Sequence, residues 1–179
     1  MLSVQNIPVL PNAIAITYAS VSIIPSNPPE GTMYAAAEIL FPAPTPNFSN
    51  PYIYVSNRNT GMPTPGGDSI AIFEYVNHGQ PTEGLILIDQ VFTGLNQIRG
   101  MEIGNDDNGG EAYLIAGGCA GFGGVAIYQR TDGGRNLTLV ARNTDIPTRT
   151  SFAWLWYSAV GQLWMVQSLF PWNRALYFT

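Results

Sequence analysis

Apolar and polar residues alternate with a period of two along most of this chain, in short runs cut by glycine and proline. That is the pattern of half-buried β-strands. The clearest runs fall into two sets. The first is Tyr52–Asn57 (YIYVSN), Ser69–Tyr75 (SIAIFEY) and Leu85–Val91 (LILIDQV). The second is Ala112–Gly117 (AYLIAG), Gly124–Arg130 (GVAIYQR) and Leu137–Asn143 (LTLVARN). In each, a glycine-rich loop joins the first two strands and a polar turn, Asn77–Gly84 or Asp132–Arg135, joins the last two. Ile70 recurs as Val125 and Leu85 as Leu137, so the sets form an internal repeat. One more candidate strand precedes each, Tyr34–Phe41 and Ile98–Gly104. The alanines of Thr32–Phe41 suit a helical turn, but Pro42, Pro44 and Pro46 stop any continuation, so a strand is expected.

Four strands per repeat, at a period of roughly 40 to 50 residues, predict an all-β fold built of β-propeller blades. About two four-stranded antiparallel sheets are expected, and two blades leave a ring open or partial. A β-sandwich also has short, regularly spaced strands, but the repeat favours blades. The expected divisions are 1–30, with strands at Ala13–Tyr18 and Val21–Ile24 of uncertain pairing; 31–95, blade one; 96–150, blade two; and 151–179, an apolar, Trp-rich C-terminal extension.

Composition narrows the partners. The chain has 179 residues, 19 Gly, 14 Pro, 11% charged residues and a formal net charge of −5. Its seven basic residues are scattered singly, which argues against nucleic acid, because phosphate binding needs clustered positive charge. A single cysteine, Cys119, excludes an intrachain disulfide and a zinc site built on several thiolates. No run approaches the ~20 apolar residues of a membrane helix. The first residues lack a basic region and contain Pro8 and Pro11, so no signal peptide is expected. Two glycosylation sequons, Asn47-Phe48-Ser49 and Asn136-Leu137-Thr138, would matter only in a secreted protein, and the compartment stays open.

The phrases MYAAAEILFPAP, YIYVSNRN, GDSIAIFEY, FTGLNQIRGMEIG, GGVAIYQR and ARNTDIPTRTSFAWL resemble the lactonase-type seven-bladed propellers related to bacterial 6-phosphogluconolactonase. They are closest in wording to the fungal carboxy-cis,cis-muconate cyclase branch. The likeness spans roughly residues 20 to 155 and corresponds to the last two blades of a longer protein. It implies a small carboxylated or lactone substrate in a central channel and metal-independent lactonisation, with no cofactor. It also implies channel arginines that bind substrate carboxylates and stabilise developing enolate-like charge.

On that likeness Arg99, which opens an inner strand, is a catalytic candidate; its alternative is a surface pairing with Glu102, Asp106 or Asp107. Glu102 is the best remaining general acid or base. Arg58, with Ser56 and Asn57, is the candidate for substrate binding, and Ser56 and Asn57 serve equally well as turn formers. Asp68 is expected to cap the Gly66-Gly67 turn. His78, the single histidine, falls in a peripheral loop. The glycines of 117–124 precede a strand, so they are not a dinucleotide fingerprint. No metal-ligand motif is present. The rival function is a non-enzymatic surface or secreted β-sheet module that binds a partner, or self-associates through open sheet edges.

Overall fold

The computed structural model describes residues 1–7, 14–119, 123–146, 151–156, 163–166 and 176–177. It is all-β and centred on two four-stranded antiparallel meanders. The first runs β3 (Tyr34–Leu40), β4 (Tyr52–Asn59), β5 (Ser69–Val76) and β6 (Gly84–Phe92). The second runs β7 (Ile98–Ile103), β8 (Tyr113–Gly118), β9 (Gly124–Thr131) and β10 (Asn136–Asn143). A short 3-10 helix, Asp107–Ala112, joins β7 to β8.

The two sheets pack face to face. Tyr52, Tyr54, Ile70 and Ile72 of the first meet Ile98, Met101, Leu114, Ala116, Ala126, Tyr128 and Leu137 of the second, with Leu95 of the linker between them. Each large side chain so buried contributes on the order of 1.5–3 kcal/mol. β7, the first strand of its sheet, packs against β3 and β4 of the other. The first strands of the two meanders therefore lie side by side.

Each sheet also buries its second face. The hairpin of β1 (Leu2–Asn6) and β2 (Ile16–Val21) covers the first sheet, where Leu2 and Ile23 pack on Ile53, Val55, Ala71 and Phe73. Strands β11 (Ala153–Trp156), β12 (Leu163–Val166) and β13 (Leu176–Tyr177) form a three-stranded antiparallel sheet. Phe152 and Trp154 pack with Ile146 on Ile115, Val125 and Ile127 of the second sheet.

Two expectations need correction. The strands sought at Ala13–Tyr18 and Val21–Ile24 are a single strand, Ile16–Val21, and its partner Leu2–Asn6 was not foreseen; Ala13 lies outside the described residues. In β1 only Leu2 and Val4 carry an apolar signal, too little to mark a strand without its neighbour. Ser56 and Asn57, expected equally well as turn formers, lie with Arg58 in strand β4, near its C-terminal end. There β3 gives their backbone partners, with Ala35 opposite Arg58 and Ala36 opposite Asn57.

Fourteen positions separate Ser56 from its cross-strand partner Ile70, whereas eight separate Gly117 from Val125 at the same place in the second sheet. The first meander therefore carries a β4–β5 connection about six residues longer. The strands repeat; this loop does not.

Candidate functional site

One rim of the paired sheets gathers the ends of β4, β6, β8 and β10 and the starts of β3, β5, β7 and β9; it is called the upper rim below. Asp68 lies there at the start of β5, 1% exposed. Its Oδ1 accepts the backbone N–H of Asn59 (2.9 Å) and its Oδ2 that of Ile98 (2.7 Å). Its own backbone N–H donates to the Leu95 carbonyl (2.7 Å), and its carbonyl accepts from the N–H and the hydroxyl of Thr93 (both 2.8 Å). Asp68 thus ties the first sheet to the linker and to the first strand of the second. That goes beyond capping a turn. Burial pushes its carboxyl above the usual range, while the N–H groups of Asn59, Ile98 and Gln97 and the charge of Arg58 pull it back.

Arg58 projects from β4 on the same face as Tyr54 and Ser56, toward the second sheet. It is partly buried, and its Nε is buried with no hydrogen-bond partner. Arg99 stands at a bulge in β7, between Ile98 and Gly100, and is exposed. Bulges re-aim side chains and are common beside functional sites. A third arginine, Arg142 of β10, reaches the same rim against Gly94. Of the five arginines among the described residues, three therefore mark one rim.

Ser56 and Asn57 spend their polar groups inside the fold. Ser56 Oγ accepts the backbone N–H of Glu38 (2.8 Å) at a bulge in β3. Asn57 Nδ2 donates to the Ile23 carbonyl (2.6 Å), where Gln90 Nε2 donates too (2.8 Å), fastening residues 22–24 onto the first sheet. Both residues are fully buried, and neither forms a turn.

Glu102 is half-buried. In register it stands beside Ile115, on the face of β7 turned away from Arg58. The fold brings Arg58, Asp68 and the backbone beside Arg99 together, but it does not put Glu102 on their face. Burial raises the Glu102 pKa, the Ile103 N–H lowers it, and the carboxylate of Glu38 raises it.

The lower rim holds a charge that the alternation gave no reason to single out. Arg130, 4% exposed, donates from Nε to the Tyr54 hydroxyl (2.9 Å) and from Nη1 to the Glu111 carbonyl (2.7 Å). Its guanidinium carbon lies 4.0 Å from the centroid of the Phe48 ring. Glu111 is buried too; its Oε1 accepts from Asn47 Nδ2 (3.0 Å) and its Oε2 has no partner. The spacing of Tyr54 and Arg130, 76 residues apart, carries no local signal.

His78 sits in the β5–β6 loop with its ring edge-on to Tyr75 (5.2 Å). Two hollows of about 330 and 350 Å³ lie along the hairpin and β6, lined by residues such as Tyr18, Gln80 and Glu83 or Pro25, Asp89 and Phe92. None of the candidate site residues lines either. Among the described residues no three His, Cys, Asp or Glu side chains group to hold a metal, and no helix is long and apolar enough to cross a membrane.

Fold and rim together define a repeat-built, all-β protein of stacked antiparallel sheets with arginines gathered at one rim. No family model, no curated protein and no solved structure matches the chain.

Proposed function

We propose that the two meanders are consecutive blades of a lactonase-type propeller of the carboxy-cis,cis-muconate cyclase kind, and that the upper rim binds a small carboxylated or lactone substrate. The carrying observation is the pair of four-stranded meanders of identical strand order, stacked with their first strands β3 and β7 adjacent. In a radial array, first strands line the channel. Arg58 and Arg99 hold carboxylates there and stabilise the charge that develops as the lactone ring closes. Glu102, on the other face of β7 from Arg58, is the candidate proton donor for a substrate held over the edge where β3 and β7 lie side by side. Incubation with 3-carboxy-cis,cis-muconate tests the reading: loss of the diene absorbance supports it, and an unchanged ultraviolet spectrum counts against it.

A second reading is favoured by the edges of β3 and β10, which pair with no further strand among the described residues and beside which Ile39, Phe41, Leu139 and Val140 are about half exposed. Open edges with apolar side chains promote strand-to-strand association. In this reading the chain is a non-enzymatic module that self-associates. Light scattering after size exclusion separates the two: a concentration-dependent oligomer that is inert to muconate supports the module.

A further inference from the structure

We propose that Asp68 is the positioning residue of the arginine rim: its carboxylate fixes the separation of Arg58 and Arg99 for a ligand that carries more than one carboxylate. The inference rests on the carboxylate-binding reading above and adds the device that sets its geometry. The backbone N–H bonded to Asp68 Oδ1 belongs to Asn59, the residue after Arg58. The one bonded to Oδ2 belongs to Ile98, the residue before Arg99. One side chain thus holds the two arginine-bearing strands, which belong to different sheets and are joined in sequence through the β4–β5 connection, the β5–β6 hairpin and the 93–97 linker.

The turn does not need this carboxylate. Gly67 N–H bonds the Thr64 carbonyl (2.9 Å), and the backbone groups of Asp68 hold Leu95 and Thr93 without the side chain. Both carboxylate oxygens accept N–H groups, an arrangement that a neutral amide of the same shape can only half satisfy. The bridge is particular to this junction, because it depends on the longer β4–β5 connection; the shorter one of the second meander has no acidic residue between Gly118 and Val125. A ligand with a single carboxylate needs only one arginine. A ligand that spans both gains the second contact intramolecularly, and that gain depends on their separation.

The test uses the full chain and Asp68→Asn, with propane-1,2,3-tricarboxylate and acetate as probes in calorimetry and backbone amide hydrogen exchange read by NMR. The expected result has two parts. Exchange at Asn59 or Ile98 quickens about tenfold while Tyr54 and Ala71 stay protected, and tricarboxylate affinity falls about tenfold while acetate affinity holds. Should the asparagine variant fail to fold, Asp68→Glu keeps two acceptor oxygens on a longer arm, and it too should lower the preference for tricarboxylate over acetate. Unchanged exchange at both amides, or equal losses for the two anions, overturns the positioning role. A parent chain that binds neither anion overturns the carboxylate site itself, and the amide exchange then still decides whether Asp68 is the bridge.

Discussion

Arg130 on β9 donates from Nε to the hydroxyl of Tyr54 on β4 at 2.9 Å, so the buried cation of the second sheet is held by a phenol of the first. Tyr54 in turn donates to the Gly134 carbonyl (2.7 Å). Burial raises the Tyr54 pKa, and the neighbouring guanidinium lowers it in part. Arg130→Ala gives up the stacking on Phe48, worth about 2 kcal/mol when desolvated. It also orphans the Glu111 carbonyl, for about 1–3 kcal/mol more. Tyr54→Phe should cost only about 1–3 kcal/mol. Urea unfolding of both variants checks the order; a larger loss for Tyr54→Phe would reverse the assignment of Arg130 as the centre of the network.

Glu102 gives a pH dependence of definite sign. Its folded pKa is raised by burial, so its contribution to stability is complete below the unfolded value and is lost as pH rises through the folded one. Near neutral pH Glu102→Gln should therefore melt higher than the parent, with the gap closing toward pH 4. Melting curves across that range decide it, and a gap that widens on acidification would contradict the burial account. If Glu102 is the proton donor, the same substitution abolishes turnover of muconate.

Tyr128 reports on alkaline conditions. Burial pushes its phenol up to about 12, and the charge of Arg142 and the Thr93 side chain pull it only partly back. A raised phenol pKa favours folding until the unfolded chain can ionise, so stability is lost as pH climbs from about 10 toward 12. Tyr128→Phe should flatten that decline. Absorbance of phenolate against pH, followed alongside the melting temperature, would show it.

Gly67 precedes the Asp68 bridge with φ +66°, and a Cβ there would run into the Leu95 carbonyl oxygen. Gly67→Ala should cost more than the ~1 kcal/mol of a left-handed alanine, because backbone and not a movable side chain blocks it. Gly133, also at positive φ (+64°) but with open space around it, is the control: Gly133→Ala should lose only the conformational part. Equal losses in thermal unfolding would mean that the Leu95 contact relaxes freely.

The strands of the two meanders were legible because each needs only a local period of two and a glycine or proline boundary. Tyr34–Leu40, Ser69–Val76, Gly84–Phe92, Ile98–Ile103 and Gly124–Thr131 fall within a residue or two of the expected runs. β1 was not legible, since Leu2 and Val4 become a strand only when β2 lies alongside. The Ser-Asn-Arg stretch is polar, yet two of its three side chains serve the interior. Period-two alternation gives two faces; it does not say which one meets another layer.

The sequence by itself determined that this chain is all-β, that its central part repeats, and where each meander turns, because strand propensity, alternation and turn residues act over a few neighbouring positions. Only the tertiary structure decided that Asp68 joins Asn59 to Ile98, that Arg130 is buried against Tyr54, and that Arg58 and Glu102 lie on different faces. Those outcomes depend on how sheets stack. Asp68 and Ile98 are 30 residues apart in the chain and Tyr54 and Arg130 76, and no local pattern encodes that they meet.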